Sequence, residues 1–291
     1  MSFSEVIVVH EADPMIVGKA QATLEDRMDP GYWAVEYIRV DRILRDGNWD
    51  LCYFGQFVTH EGQGDTPRKH LGESFQQTGI HFFSAEDLLP TGLDLHNYKF
   101  ISESQHQRLS RTVLEKGDIL FARIGVASTG RVTIVTQLPG PSNINNSLNV
   151  FRVQGISPYY VVCFLKSYLG QKQVERLKSG VASTAITIEQ IKSIQIPRLA
   201  TAIQQAVENE YRAKIRRYHD EAMAAKSKML QARARSNRAA EDRYRVEYER
   251  NIAIAEAMLN DLIRQVEEII EGKRMEIEPV EHILKEQDSG A

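Results

Sequence analysis

Leu114-Glu-Lys-Gly-Asp-Ile-Leu-Phe-Ala-Arg-Ile-Gly125 is the stretch that decides the fold of this chain. A loop of small residues joins it to Gly130-Arg131-Val132. Apolar and aromatic residues bounded by glycines favour β-strands, so the stretch predicts a strand, a turn and a second strand. The flanking sequence determines whether this pair belongs to a larger β domain.

Glycine and proline recur every few residues between residues 50 and 197, with short β-rich runs between them. Frequent turn signals between short strands indicate a mainly β domain. The predicted strands are Phe54–Thr59, Ile80–Phe83, Asp118–Ile124, Val132–Thr136 and Leu148–Val153. Helices are expected at 34–46, at Pro158–Leu169 and at Ile188–Ser193. Ser157 can cap the second of these helices, and Pro158 suits its first position.

The chain changes character after Pro197, because neither proline nor glycine occurs again before Gly272. Both residues interrupt helices, and the region is rich in Ala, Glu, Arg, Lys and Gln, so it predicts a long helical segment. Two sets of apolar residues follow coiled-coil spacings of three and four. They are Val207, Tyr211, Ile215, Tyr218, Ala222, Ala225 and Met229, and then Tyr244, Tyr248, Ile252, Ala255, Leu259, Leu262, Val266 and Ile269.

The two sets are separated by Gln231–Ala240, where only alanines occupy the seam positions. This middle part can be the thin waist of a single rod. It can equally hold a turn near Ser236-Asn237 that folds the region into an antiparallel hairpin. The sequence leaves both arrangements open.

These patterns together predict an α+β protein, with a mainly β domain followed by a long α-helical coiled-coil region. The expected organisation is an N-terminal segment at 1–30, a β-rich domain at 31–200, a long helix or helical hairpin at 201–272 and an acidic tail at 273–291.

Composition excludes several classes of protein. No apolar run approaches the roughly 18 to 20 residues of a membrane span. Cys52 and Cys163 are far apart, and the eight histidines are scattered, which disfavours a disulfide framework or a metal site and fits the cytoplasm. The net charge is −3, but acidic residues predominate at both ends and basic residues in the middle. A basic middle can meet phosphate groups.

An ordered set of short motifs resembles the target recognition domain of type I restriction–modification DNA specificity (S) subunits. The motifs are Arg27–Tyr32, Phe54–Val58, Gly62–Pro67, Gly79–Leu88, Lys116–Leu120, Ile124-Gly125, Asn143–Leu148, the Tyr159–Ser167 helix, Ile191–Pro197 and Gln204-Gln205. No single motif is specific for this family, but the order of the whole set over most of residues 27–210 is.

The resemblance implies a protein that does no chemistry and selects the DNA sequence on which partner subunits act. The implied partners are double-stranded DNA, an adenine-N6 DNA methyltransferase subunit and a restriction translocase/nuclease. S-adenosylmethionine would be bound by the methyltransferase, so this chain needs no cofactor. Specificity subunits usually carry two such domains, and this chain has one, so self-association through helices 201–272 is expected. Such a dimer would read a bipartite, inverted-repeat site.

Reading DNA requires polar side chains on loops for base edges, together with cations for phosphates. In this family, loops at comparable positions face DNA. The DNA-binding role is therefore transferred to Gln63, Thr66, Arg68, Lys69, Arg123, Ser128, Thr129, Arg131, Asn143, Asn145, Asn146, Ser183 and Thr184.

Two motifs imitate catalytic sites. Asp29-Pro-Gly-Tyr32 resembles the adenine methyltransferase motif, but a glycine replaces its second proline and no glycine-rich cofactor loop precedes it. Glu271-Gly-Lys273 imitates part of a nuclease motif, but it lies where a glycine simply ends a helix. The sequence also contains no Walker-type loop, so a non-catalytic role is expected.

The alternative hypothesis is a coiled-coil scaffold, or a DNA-sensing subunit of another phage-defence complex with no role in methylation. The basic run Arg212–Arg238 fits a solvated helix face, and it could also touch DNA phosphates. The helix tyrosines fit seam packing better than base stacking.

Overall fold

The computed structural model of the protein describes residues 6–8, 18–20, 34–68, 70, 72–96, 99–178 and 185–280. In these residues a β-rich domain is followed by two long helices, so the predicted α+β class is confirmed. The Arg27–Tyr32 motif lies outside the described residues. No helix in the described part of the chain is both long and apolar enough to cross a membrane.

The strands are short and their bounds are as follows. They are β1 (Val6–Val8), β2 (Gly18–Ala20), β3 (Asp50–Tyr53), β4 (Val58–Gln63), β5 (Ile80–Phe83), β6 (Leu88–Leu89), β7 (Gly92–Leu93), β8 (Phe100–Ile101), β9 (Ile119–Ala122), β10 (Val132–Ile134), β11 (Ser142–Ile144), β12 (Leu148–Val153) and β13 (Gln195–Arg198).

The helices lie mostly in the second half of the chain. They are α1 (Val35–Asp46), α2 (Glu103–Arg108), α3 (Pro158–Lys166), α4 (Tyr168–Lys178), α5 (Ile188–Lys192), α6 (Thr201–Glu210), α7 (Arg216–Ala234) and α8 (Arg238–Ile270). A π-helical turn, Tyr211–Ile215, joins α6 to α7 without a break.

An antiparallel sheet in the order β10-β9-β12-β4 forms the centre of the domain. Successive strand residues face opposite sides of a sheet, and both sides of this one are covered. Ile119 and Phe121 of β9 join the core that contains α3 and α8. Leu120 and Ala122 join a second core with β6, β7 and β11. The strand pair predicted from the 114–132 stretch is therefore the two-sided middle of the fold.

Smaller sheets extend the domain. In one, β11 lies parallel to β5, and β5 pairs antiparallel with β8. In another, β13 pairs with β3 and so brings the exit of the domain back to its beginning. β6 and β7 form a two-stranded hairpin, and so do β1 and β2.

The predicted strand Phe54–Thr59 is wrong in its first half. Phe54–Gln56 form a 3-10 turn, and β4 begins only at Val58. The turn is closed because the Tyr53 amide donates to the Gln56 side chain at 3.0 Å. Phe54 is fully buried, with its ring edge-on to Phe151 at a centroid distance of 5.3 Å.

The helix predicted to end at Leu169 stops at Lys166, and α4 follows at once. Ser167 makes the break: its hydroxyl donates to the Phe164 carbonyl at 2.6 Å and accepts from the Gly170 amide at 3.2 Å. Gly170 packs so closely that a Cβ there would lie 2.2 Å from the Phe164 carbonyl oxygen. Glu267 of α8 accepts a hydrogen bond from the Tyr168 amide and so caps α4.

The C-terminal helices fold back on each other as an antiparallel hairpin, which is one of the two arrangements that the sequence left open. Val207, Tyr211 and Ile215 are fully buried. From the second apolar set, Ala255, Leu259, Leu262 and Val266 are buried as well. Both sets therefore pack within one chain, against each other and against α3.

The hairpin turns at Arg235–Asn237 without a glycine. Ser236 has a φ of +55°, the only positive φ of a non-glycine residue in the described part of the chain. The Asn237 amide donates to the Ala232 carbonyl at 3.0 Å, and the Ser236 amide donates to the Arg233 carbonyl at 2.9 Å. These two bonds form a Schellman motif with serine in the place usually taken by glycine. The Asn237 side chain then caps α8 at the Ala240 amide.

The β6–β7 hairpin docks on the helices through buried polar contacts. His219 of α7 accepts a hydrogen bond from the Thr91 hydroxyl at 2.9 Å and donates to the Leu93 carbonyl at 3.1 Å. The Tyr211 hydroxyl, on the π-helical turn, donates to the Thr91 carbonyl at 3.1 Å. Lys226 forms an ion pair with Asp94 beside them. The β domain and the helices are thus locked together around Thr91.

Candidate nucleic-acid interface

The loop after β4 is held in shape by charged side chains. Asp65 accepts hydrogen bonds from Arg68 at 2.6 Å and from Arg108 at 2.8 Å. Arg108 also pairs with Glu73 at 2.8 Å, and the Arg68 amide donates to Glu73 at 2.8 Å. Burial acts to raise the pKa of Asp65, but hydrogen bonds from Arg108, the Thr66 amide and Arg68 outweigh it and lower the pKa.

This network decides what the predicted residues of the loop can offer. Gln63 is exposed at the end of β4, and Thr66 is half-buried. The Arg68 guanidinium is partly committed to Asp65 by two hydrogen bonds, although its side chain remains 46% exposed. Lys69 lies outside the described residues.

The loop between β9 and β10 presents a second group of predicted residues. The Ser128 hydroxyl donates to the Ile124 carbonyl at 3.1 Å, and the Thr129 hydroxyl donates to the Gly125 carbonyl at 2.7 Å. Both oxygens keep lone pairs that can accept a hydrogen bond. Gly125 has a φ of +124°, which a side chain would strain. Val126 stands at the tip with 98% of its surface exposed.

The arginines at the two ends of this loop differ. Arg131 is exposed. Arg123 is half-buried and donates to the Asn146 carbonyl at 3.2 Å, while its Nε is buried and meets no acceptor among the described residues. Arg123 therefore positions one loop against the next, whereas Arg131 presents an exposed cation.

The three predicted asparagines do not behave alike. Asn146 is exposed, and Asn145 is half-buried and accepts a hydrogen bond from the Ser147 amide at 3.0 Å. Asn143 lies in β11 with no exposed surface. Its amide group donates to the Leu109 carbonyl at 3.0 Å and to the Thr112 hydroxyl at 3.1 Å, and its oxygen contacts His106. The DNA-contact prediction for Asn143 is therefore corrected: this residue ties β11 to α2 and the turn after it.

A cleft of about 400 Å³, called here the loop cleft, brings several of these residues together. Ser128, Arg131 and Asn145 line it, together with Ser84 and Ser147. The loop after β4 lies beside it, because a Cβ on Gly64 would come within 1.9 Å of the Asn145 carbonyl oxygen. Three loops that are far apart in sequence thus meet at one polar surface.

Among the polar residues that line the cleft, sequence reasoning missed Ser84, Glu86 and Ser147. The Ser147 hydroxyl accepts a hydrogen bond from the Ala85 amide at 3.2 Å and so joins β5 to the β11–β12 connection. Serine in a turn carries no recognisable signal of this kind, because the contact is made across 62 residues of chain. The predicted residues Ser183 and Thr184 lie outside the described part of the chain.

The arrangement offers hydrogen-bond donors, acceptors and cations at a surface. Within the described residues, no group of three or more His, Cys, Asp or Glu side chains is placed to hold a metal ion. Cys52 and Cys163 are both free thiols, and burial raises the pKa of Cys163 to about 12, so that thiol is unreactive near neutral pH. Lys273 forms a local ion pair with Glu271, the pair that imitates a nuclease motif.

The short motifs of the sequence have structural roles in this fold. Asp118 is fully buried. Its carboxylate accepts a hydrogen bond from the Glu115 amide at 2.8 Å and two from the Arg152 guanidinium at 2.8 and 3.1 Å. The Tyr160 hydroxyl donates to the Pro197 carbonyl at 2.6 Å. Gln204 accepts from the Ser157 amide at 2.9 Å and donates to the Leu199 carbonyl at 2.8 Å. Each contact joins two of the motifs or fixes one in place.

The model of one protein family matches residues 48–206 and is described as the type I restriction modification DNA specificity domain. The chain belongs to this family. The match runs from Asn48 into α6, and it contains the three loops that meet at the loop cleft.

A comparison with solved structures found two that resemble parts of this specificity-domain protein. One comes from a study of complex assembly and conformational transition of the type I R-M system, with 16% identity, a TM-score of 0.41, 80% of this chain covered and 53% of that chain. The other is the S subunit of a type I restriction-modification system from M. genitalium, with 11% identity, a TM-score of 0.38, 86% of this chain covered and 55% of that chain. The chain thus spans about half the length of both. A comparison with curated proteins gave no match.

Proposed function

We propose that this specificity-domain protein binds duplex DNA and selects the sequence on which partner subunits act. The observation that carries the proposal is the convergence of three polar loops of a type I specificity domain at the loop cleft. Ser128, Arg131, Asn145 and Asn146 are the residues we assign to DNA contact there, with Gln63, Thr66 and Arg68 at its edge. Base edges are read by such donors and acceptors, and phosphates by the cations.

The partner subunits supply the chemistry in this proposal. An adenine-N6 DNA methyltransferase subunit, joined by a restriction translocase/nuclease, docks on the helical hairpin, and the methyltransferase binds S-adenosylmethionine. The distal part of the hairpin supports this role, because residues 233–250 are mostly exposed and make few contacts with the β domain. The chain itself acts as a non-catalytic cytoplasmic subunit.

We also propose that the chain self-associates through its helices. A second copy would supply the second recognition domain and so a bipartite, inverted-repeat target. The apolar seam is already used inside the hairpin, so we propose that two chains exchange α8. The same seam contacts then form between chains, and the turn at Ser236 straightens.

The test is a methylation map. The chain is expressed with its methyltransferase partner, and N6-methyladenine is located in the host DNA by single-molecule sequencing. A split inverted-repeat motif that disappears on deletion of the gene is the expected result. The variants Arg131→Ala and Asn145→Ala are expected to weaken or relax that motif, whereas Arg45→Ala, on α1, is the matched surface control. Methylation that is unchanged on deletion would remove the modification role and favour a DNA-sensing or scaffold role instead.

A further inference from the structure

A second cleft, called here the lysine cleft, adjoins the loop cleft and has a volume of about 650 Å³. It lies between the β6–β7 hairpin, the β9–β10 loop and the helices α3 and α4. Glu86, Ala127 and Arg131 line both clefts, so the two form one continuous depression. An extended molecule that enters the loop cleft can therefore reach the lysine cleft as well.

Lys166 is a cation that lines this cleft. It ends α3, a helix whose residues Tyr159–Leu165 are all buried. Within the described residues its ammonium group forms neither a hydrogen bond nor an ion pair. Burial lowers its pKa to about 8, and the opposing attraction of Glu256 is too weak to restore the ordinary value. A partly desolvated ammonium without an acceptor is unfavourable until an anion reaches it.

Arg131 adds a second cation to the same cleft, and it forms no ion pair with any residue that the structure describes. Glu86 is the carboxylate among the lining residues, and Lys99 neutralises it with an ion pair at 3.2 Å. Lys178 lies nearby and donates to the Thr129 carbonyl at 2.8 Å, which fixes the loop that carries Arg131. The cleft is therefore positively charged overall.

We propose that Lys166 and Arg131 together bind a phosphate of the DNA backbone, beside the bases that the loop cleft reads. The inference rests on the proposed function and adds to it a contact outside the recognition loops. A lysine binds phosphate as a point charge without requiring a fixed orientation. Such a contact sets the register of the protein on the duplex and carries no sequence information. Lys166 contributes to it from the rigid end of α3, whereas Arg131 stands at the end of the β9–β10 loop.

The first experiment measures the salt dependence of DNA binding. Lys166→Met keeps the length of the side chain and removes its charge. The control is Lys172→Met, which removes the same charge from α4 where Glu36 and Glu175 already neutralise it at 2.8 Å each. Binding of the full chain to a random-sequence duplex is followed from about 0.1 M to about 1 M salt, a range over which the phosphate contribution fades.

The expected result is a loss of about one unit in the slope of log K against log salt for Lys166→Met, with affinity about tenfold lower at ~0.1 M salt. Lys172→Met should match the wild type. Equal slopes for both variants and the wild type would overturn the proposed phosphate contact of Lys166 and would leave the proposed DNA-binding function standing. Absence of duplex binding by the wild type would instead overturn the proposed function.

The second experiment separates DNA phosphate from a free anion. Acylation of Lys166 near its pKa of about 8 is followed by mass spectrometry with the random duplex, with inorganic phosphate and with neither. Protection by the duplex supports the proposal. Protection by inorganic phosphate without protection by the duplex, or protection by neither, contradicts it. A melting temperature that is unchanged or raised in Lys166→Met shows that its loss of binding is not unfolding.

Discussion

Single residues in the recognition domain divide into those that hold loops and those that face outwards. Arg108 belongs to the first group, since it binds both Asp65 and Glu73, which lie more than 30 residues before it in the chain. Arg131 and Asn146 belong to the second. The distinction cannot be read from residue type, because the same arginine or asparagine serves either purpose according to its neighbours.

Arg108→Met removes the link that orders the loop after β4. Amide hydrogen exchange in residues 64–68 and 72–76 is expected to accelerate, and DNA affinity to fall by roughly tenfold, because ordering the loop again on binding costs on the order of 1–2 kcal/mol. Arg111→Met, which removes an exposed arginine three residues away, is the control and should leave exchange unchanged. Equal exchange in the two variants would show that the network does not hold the loop.

Asn143 shows where prediction from single residues fails. It belongs to the Asn143–Leu148 motif and resembles Asn145 and Asn146 in sequence context. Only the pairing of β11 with β5, in which Asn143 lies opposite Phe82, places it inside. Burial is a tertiary property, so sequence could indicate the loop cleft as a polar region but could not sort its members. Lys166 was missed for the same reason, because a lysine at a helix end is usually solvated.

Periodicity in the sequence predicted the strands and helices reliably, but the sequence did not show where the helical region reverses direction. Strands β5 and β12 coincide with their predicted bounds, since alternation and turn residues are local properties. Most of the predicted seam residues of the two helical sets are buried, whereas Tyr218, Met229, Tyr244, Tyr248 and Ile252 are only half-buried. The turn between them was ambiguous, because Ser236 adopts a left-handed conformation that the sequence signals only with glycine or asparagine.

Ser236 is therefore the residue to change in a test of α8 exchange. Ser236→Gly relieves the left-handed conformation, by on the order of 1 kcal/mol, and should favour the closed monomer. Ser236→Ala combined with Asn237→Ala removes the N-cap, favours a continuous helix and should favour the dimer. Size-exclusion chromatography with light scattering measures the balance.

Ala234→Gly is the control for that experiment, because it weakens the helix equally in the closed and exchanged forms. It should lower the melting temperature without shifting the monomer–dimer balance. A balance that is the same in all these variants would exclude exchange through this turn.

The whole molecule depends on the buried junction between the β6–β7 hairpin and the helices. His219 lies at its centre, facing Thr91, Leu93 and the nearby charges of Asp94, Asp220 and Lys226. Burial lowers the pKa of His219 below its ordinary value, so the folded protein keeps this side chain neutral. Protonation would remove the lone pair that accepts the Thr91 hydroxyl.

A pH dependence of stability follows from this shift. Above the pKa of about 6.5 that His219 has in the unfolded chain, the histidine is neutral in both states and the junction is complete. As the pH falls below that value, His219 binds a proton in the unfolded chain but stays neutral in the folded chain. The free energy of unfolding should fall by up to about 1.4 kcal/mol per pH unit until the lowered pKa is reached. His219→Gln, which can donate and accept but does not titrate, should reduce this loss in denaturant unfolding at pH 5.5 and 7.5.

His96 is the control for that measurement, because burial also lowers its pKa and it lies beside Asp94. His96→Gln reports its separate share of the pH dependence. A loss of stability on acidification that is the same in His219→Gln as in the wild type would assign the effect to other groups.

The separation between Asp118, Tyr160 and Gln204 on one side and the cleft-lining residues on the other has a consequence for how such proteins acquire new targets. The contacts of Asp118, Tyr160 and Gln204 are made by side chains that line neither cleft, so exchange of the loops at the loop cleft leaves these three contacts intact. Retargeting by loop grafting is therefore open to an engineer at little risk to folding. Lys166, at the end of α3, would stay in place and keep its phosphate contact for each new loop set.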